Sequence, residues 1–366
     1  MKISDVTAAI EAVAHTSLQE DYDNAGLLVG SPHSECTGIL CSLDVTEAVI
    51  DEASQRGCNL VVAHHPVIFR PIKKITGASE PERVVINAIR QGVAVYAAHT
   101  NLDNVTAGVN GRIADILGLT NRRVLLPKTG LLKKLFTFVP AADLETVRDA
   151  LFAAGAGNIS DYSECSFTSE GTGTFLPGEG TNPYSGTQGI RQNEKEVKLE
   201  VILPAYAENQ VLRALFSAHP YEEVAYDVVN LANRHQSIGS GIIGRIEPVN
   251  EVEFLKLLMR FNPSVIRHTE LRKKKVATVA VCGGAGSFLQ VEALKAGADA
   301  YVTADLKYHE FFIPEGRMLL CDIGHFESEQ FTTDLLLELL QRKFPNFAVL
   351  KSEVRTNPVL YFTGKK

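Results

Sequence analysis

The chain has 366 residues, enough at about 150 residues per domain for two or three domains with full cores. Apolar residues make up 45% and charged residues 22%, which excludes a disordered or fibrous protein. The 36 Lys and Arg against 43 Asp and Glu leave a net charge of −7, so no overall positive field gathers nucleic acid or an anionic membrane.

The first segment, MKISDVTAAIEAVAH, has helical spacing over residues 4–15 (Val6, Ile10, Val13) and lacks the apolar stretch of a signal peptide. No apolar run approaches the roughly 20 residues that span a bilayer, so the expected location is the cytoplasm, with no membrane partner. GLLVG at 26–30 and GILCSLD at 38–44 read as strands, Thr46–Arg56 as a helix, NLVVAHH at 59–65 as a strand, Glu80–Gln91 as a helix and GVAVYAAH at 92–99 as a strand. Continuous apolar strands alternating with helices predict βαβ units and a mostly parallel sheet. The same rhythm resumes at 276–282 (VATVAVC), 299–304 (DAYVTA) and 318–323 (MLLCDI). Six scattered cysteines without a CxxC spacing read as buried, reduced thiols.

Between these halves the pattern changes. FTFVPA, a helix at Leu144–Ala154, a Gly-rich stretch around 170–190, VKLEVILPA, a helix at Glu208–Ser217 and VAYDVVNL follow one another. Val139-Pro140-Ala141 and Leu203-Pro204-Ala205 are alike, as are Ala150-Leu151-Phe152 and Ala214-Leu215-Phe216, each pair offset by 64 positions. A constant offset over a strand–helix pair suggests a duplicated half and a ferredoxin-like α+β module, against the alternative of chance likeness between two amphipathic helices. The Gly-rich stretch holds too few apolar residues for a core and reads as a hairpin tip or mobile loop. The predicted organisation is a discontinuous α/β core, 1–128 and 234–366, interrupted by an inserted domain at 129–233.

Four polar clusters directly follow apolar strands: His64-His65-Pro66, His99 through Asp103, Asp305 through His309, and His325 through Glu329. Ligands of open parallel sheets bind beyond the carboxyl ends of strands, so clusters distant in sequence can converge there. Imidazoles and carboxylates in one space suit a borderline divalent ion such as zinc, iron or manganese. Pro66 stops the strand, which lets His64 and His65 face one pocket, and His325 and Glu329, four apart, share a helix face. Asp305 and His309 have the same spacing and His99 the same location; spacing does not rank them. Any single histidine at a strand end is commonly a hydrogen-bonded structural residue; four clusters in one topological position carry the metal reading.

Other motifs are weaker. Gly283-Gly284-Ala285-Gly286-Ser287 is either a phosphate cradle or a tight strand-to-helix turn. His219-Pro220-Tyr221-Glu222-Glu223 is either an added metal ligand or a capped helix end with a subunit contact, and Lys273-Lys274-Lys275 is a solvated run. No GxSxG nucleophile motif is present.

The ordered set YDNAGLLVG, VVAHHPVIF, HTNLDN, GTGTF, HPYEEVAYDV, GGAGS, TADLKYHE and DIGHFESE resembles the GTP cyclohydrolase 1 type 2 homologs, the NGG-interacting factor three-like family, over nearly the whole chain. Tyr22 stands where the family pattern has Trp. The resemblance implies two divalent ions per subunit on His64, His65, Asp103, His325 and Glu329, with His99, Asp305, His309 and Asp23 placed behind the ligands or toward substrate. It also implies a toroidal homohexamer and, in long members, an insert similar to the PII or CutA proteins.

The expected function is hydrolysis of the GTP cyclohydrolase kind, because hydroxide generated at such ions attacks carbon 8 of a purine as it does an ester, amide or phosphate. The alternative is a non-enzymatic metal-binding, delivery or regulatory assembly gated by the insert. Two ions would add positive charge locally, so a nucleotide or other phosphorylated small molecule remains a possible partner of an acidic protein.

Overall fold

The structure, a computed structural model, describes residues 1–159 and 162–362. The chain separates into two compact units, one made of Met1–Leu126 with Ser237–Lys366 and the other of Pro127–Gln236. In chain order the strands are β1 (Gly26–Val29), β2 (Ile39–Ser42), β3 (Leu60–Ala63), β4 (Ala94–Ala97), β5 (Thr120–Pro127), β6 (Leu132–Pro140), β7 (Ser166–Phe175) and β8 (Gln192–Pro204). They continue as β9 (Tyr226–Asn230), β10 (Gly239–Asn250), β11 (Arg267–His268), β12 (Lys275–Val281), β13 (Ala300–Thr303), β14 (Leu319–Asp322) and β15 (Val349–Lys351).

The split unit holds two sheets, where a single mostly parallel sheet is expected from the sequence. One has the order β1-β4-β3-β2-β15 and the other β11-β14-β13-β12-β10-β5. Each is parallel in its middle, β4-β3-β2-β15 and β14-β13-β12, with β1, β11 and β10 joining antiparallel. The reason for the difference is physical: a continuous apolar run reports burial on both faces, not the identity of the neighbouring strand. Strands β2, β3, β4, β13 and β14 are each four residues long and buried throughout. Helices Glu47–Gln55 and Glu80–Gln91 close one face of the first sheet by packing Val49, Ile50, Val84 and Val85 onto Leu40, Val61 and Val95. Five of the six cysteines are buried and all six are free thiols.

The middle unit is one antiparallel sheet of order β7-β8-β6-β9. Helices Leu144–Ala153 and Glu208–Ala218 place Val147, Leu151, Val211 and Leu215 against Leu135, Val139, Leu199 and Val201 of its central strands. Each helix follows a strand ending at Pro140 or Pro204, so the 64-residue offset maps one strand–helix junction onto the other. The Gly-rich stretch is only partly a loop: Ser166–Phe175 pairs with Gln192–Val201 over ten registered positions, and the loop begins at Leu176. Its residues escape a strand reading because β7 is an edge with almost every side chain exposed, held by backbone bonds instead of apolar alternation.

Candidate metal centre

At the end of β3 the amides of His64 and His65 both donate to the carbonyl of Leu43, at 3.1 and 2.9 Å. Strand alternation therefore ends, both imidazoles turn to one side, and their ring centroids lie 4.9 Å apart. After β4, His99 caps the short helix Thr100–Asp103, which carries Asp103 toward the His64 ring. After β13, Asp305 adopts a left-handed φ of +53°, and after β14 the helix His325–Glu329 presents both its terminal side chains.

Four imidazoles are gripped from outside at Nδ1. His64 Nδ1–H donates to the Ala98 carbonyl at 2.8 Å, His65 to Asp44 at 2.7 Å, His99 to Asp23 at 2.6 Å and His325 to Asp305 at 2.7 Å. That arrangement sets the tautomer of a neutral ring and leaves Nε2 as the inward lone pair, the usual orientation of a metal-ligating histidine. The inward nitrogens of His65 and His325 are 3.4 Å apart, and Glu329 Oε2 lies 2.9 Å from the first and 3.0 Å from the second. Two ligands of one tetrahedral ion at about 2.0–2.1 Å are roughly 3.3 Å apart, so this spacing fits a shared cation.

A second set is more widely spaced. His64 Nε2 lies 3.8 Å from both Asp103 Oδ1 and Glu329 Oε1. His64 Nε2 and Asp103 Oδ1 are buried with no hydrogen-bond partner, a costly condition that a divalent ion would relieve. Among the described residues, candidate ligand atoms fall into three groups, each within 4.8 Å: His64, His65 and His99; His65, His325 and Glu329; His64, Asp103 and Glu329. Glu329 belongs to two of them.

Charge in the cluster is unbalanced. Burial lowers the His64 pKa and keeps that ring neutral, with Glu329 opposing. Burial also acts to lower His65 and His325, but the carboxylates of Asp44, Glu329 and Asp305 outweigh it and raise them to about 9 and about 11. Burial and then the charge of Glu329 push Asp103 well above the usual carboxylate range. Burial acts the same way on Glu329, where His325, His64 and His65 prevail and hold it ionised. The cluster thus accumulates protons on rings and on Asp103, the condition expected where cations belong.

The glycine turn after β12 makes room for Glu329. Gly284 has a φ of +58°, and a Cβ there would lie 2.4 Å from Glu329 Oε1. Its amide donates to Ser328, that of Gly283 to Asn110 and that of Gly286 to Thr303, each at 3.0 Å. These three donors are spent on the protein, which favours a tight turn over a phosphate cradle.

A cavity of about 460 Å³ opens above the cluster, with Tyr22, Phe69 and Phe288 in its wall. These aromatics are 65, 46 and 59% exposed, respectively, although each is a large apolar side chain. Among the described residues no Lys or Arg lines this cavity.

The profile of the Duf34/NIF3 (NGG1p interacting factor 3) family matches residues 1–358. The chain belongs to the Duf34/NIF3 family. Among Duf34/NIF3 relatives, the GTP cyclohydrolase 1 type 2 homolog of Halalkalibacterium halodurans is 40% identical, covering 99% of this chain and 100% of the relative. The homolog of the same name from Bacillus subtilis is 36% identical over 93% of each chain. The crystal structure of a Bacillus cereus protein related to NIF3 superposes with a TM-score of 0.87 at 36% identity, covering 99% of both chains.

In this Duf34/NIF3 fold the expected His64, His65, Asp103, His325 and Glu329 are brought together, and Asp23 and Asp305 stand behind His99 and His325. His99, which the resemblance sets behind the ligands or toward substrate, stands among the inward-facing rings and lines the cavity. His309 is not brought in: beyond Asp305 the chain forms the 3₁₀ turn Tyr308–Phe312, where its exposed ring packs near Tyr308 and Phe312. Asp44 is the residue missed from the sequence. It follows β2 as the four clusters follow their strands, so the same positional rule applied to GILCSLD would have found it.

Proposed function

We propose that the split unit is a metal-dependent hydrolytic centre. His64, His65, Asp103, His325 and Glu329 would hold two divalent ions, with zinc, iron and manganese all compatible with the donors. The observation that carries this reading is the pair of buried, unpartnered atoms, His64 Nε2 and Asp103 Oδ1, facing a bridging carboxylate. Two such ions polarise a bound electrophile and lower the pKa of water.

The chain's own residues supply the rest. Asp44 and Asp305 hold the His65 and His325 rings in orientation. His99, backed by Asp23, presents Nε2 to the cavity floor as the group placed to take up or return a proton. Tyr22 and Phe69, with ring centroids 6.3 Å apart, and Phe288 form an apolar wall suited to a flat ring such as a purine. The relatives' name points to GTP as the first substrate to try; with no Lys or Arg among the described residues that line the cavity, its phosphates would turn to the ions.

The test is metal content per chain after purification without added metal, followed by assay with GTP for formate and with ester, amide and phosphoester panels. The expected result is about two ions per chain, with ions and turnover both lost in the His64→Ala/Glu329→Ala double variant. A metal-replete protein inert to every substrate class would remove the hydrolytic reading.

A second reading, a non-enzymatic metal-binding assembly regulated through the middle unit, has one observation in its favour. The order β6–helix–β7–β8–helix–β9 with sheet order β7-β8-β6-β9 supports a ferredoxin-like reading of this unit, the plan expected of a PII- or CutA-like insert. A toroidal homohexamer in the cytoplasm is part of both readings, and light scattering of the full chain checks the hexamer.

A further inference from the structure

The middle unit contains a second cavity, of about 440 Å³, which the metal chemistry does not use. It is built on the turn His219-Pro220-Tyr221-Glu222-Glu223 and on the loop that follows β7.

His219 sets the turn. Its Nε2–H donates to the Phe138 carbonyl at 3.0 Å, and its Nδ1 accepts the Tyr221 amide at 3.1 Å. Both nitrogens are spent on backbone, so this histidine is a structural clamp and not a free metal ligand. The clamp holds the Tyr221 ring among three others, with centroids 4.9 Å from His219, 5.8 Å from Tyr184 and 6.5 Å from Phe175. The Tyr221 hydroxyl donates to Glu196 Oε1 at 2.9 Å. The other oxygen of Glu196 lies over bare Gly173, where a Cβ would come within 2.0 Å of it. Glu222 accepts the Asn182 amide at 3.0 and 3.2 Å and so braces the loop as one wall.

The lining chemistry is one-sided. Glu196, Glu222 and Glu223 contribute carboxylates, Phe138, Phe175, Tyr184 and Tyr221 contribute rings, and among the described residues no Lys or Arg lines the space. An anion would meet three carboxylates. A neutral ligand would leave them unmatched, and a small hydrated metal ion gains little from ring faces. Aromatic faces beside carboxylates suit a cation whose charge is spread over an organic head and whose body is apolar.

We propose that this cavity binds a small organic cation, an alkylammonium or guanidinium group on a short aliphatic body. The metal centre plays no part in that binding.

Isothermal titration of the full-length protein with agmatine, tetramethylammonium, 1-pentanol and magnesium ion tests it. Agmatine and tetramethylammonium should saturate, whereas 1-pentanol and magnesium should not. Glu196→Gln and Tyr221→Leu should each weaken agmatine by about tenfold or more. Gly173→Ala should weaken it too, by displacing the Glu196 carboxylate without removing any lining side chain, and His64→Ala should leave it unchanged. Circular dichroism checks that each variant folds; if Tyr221→Leu does not, the two milder variants carry the test. Failure of both cations to saturate, equal binding of 1-pentanol, magnesium binding in their place, or agmatine binding untouched by the folded cavity variants would each overturn the proposal.

Discussion

Asp44 shows how much of the candidate metal centre rests on residues outside its inward-facing donors. One of its carboxylate oxygens accepts His65 Nδ1–H at 2.7 Å and the other accepts the Thr356 hydroxyl. Burial acts to raise its pKa, yet the His65 and Thr356 hydrogen bonds and the His65 charge hold it below the ordinary value. A carboxylate behind an imidazole fixes the ring and increases the basicity of the inward nitrogen. Asp44→Asn keeps an acceptor but removes the charge, whereas Asp44→Ala also frees the ring to rotate. Metal affinity should fall by about 10–100-fold for such a change, with Asp44→Ala at the larger end. Competition against a chromophoric chelator measures it, and unchanged affinity in both variants would show that Asp44 does not tune the site.

At the scale of elements, the turn after helix Glu208–Ala218 carries a pH dependence of definite sign. Burial lowers the His219 pKa below its ordinary 6.5, with partial opposition from the Phe138 carbonyl and nearby carboxylates. Protonation would also remove the lone pair that accepts the Tyr221 amide. The unfolded chain therefore binds more protons than the folded one below pH 6.5, so stability rises with pH across that window. The contribution is complete above 6.5 and is lost as pH falls toward the lowered folded value. Hydrogen exchange on Leu132–Pro140 and Gln192–Pro204 should show protection declining on acidification, and His219→Gln should flatten that decline. An identical slope in the variant would assign the effect to other groups.

The same scale explains what was legible in the sequence. Strands β2, β3, β4, β13 and β14 are short, wholly buried and almost uniformly apolar, so both their positions and the polar residues at their ends could be read directly. Strands β5 and β10 were not read, because Thr120–Arg123 is exposed and Gly239–Asn250 is interrupted by Gly and Pro. β7 was missed for want of any buried face. Burial writes a periodic signal into the sequence, whereas edge pairing through backbone bonds writes none. The four polar clusters followed from strand ends, but which of their members turn inward came only from the family resemblance, and the separation of Asp305 from His309 followed from neither. It depends on the left-handed turn at Asp305, which spacing along the chain does not report.

For the whole molecule, the division into two units separates two kinds of stability. Every candidate ligand and every carboxylate behind the rings lies within Met1–Leu126 or Ser237–Lys366, while Pro127–Gln236 has its own apolar core around Leu135, Leu151, Leu199 and Leu215. An ion that binds only the folded state stabilises the unit that holds it, by about 2.7 kcal/mol at 100 times its dissociation constant. It does so by ordering the segments that carry its ligands, here Leu60–His65, Thr100–Asp103 and His325–Glu329. Removing the metal should leave His65 and His325 protonated and Asp103 and His64 without partners, so these segments should open more readily. Hydrogen-exchange mass spectrometry before and after chelation should show faster exchange in those three segments. Leu132–Pro140 and Gln192–Pro204 should be unchanged. Restoring zinc or manganese should restore protection, because the ligand arrangement is set by hydrogen bonds that do not involve the ion. Equal acceleration in both units on chelation would mean that the ions stabilise the chain as a single cooperative block, and no acceleration anywhere would remove them as structural contributors.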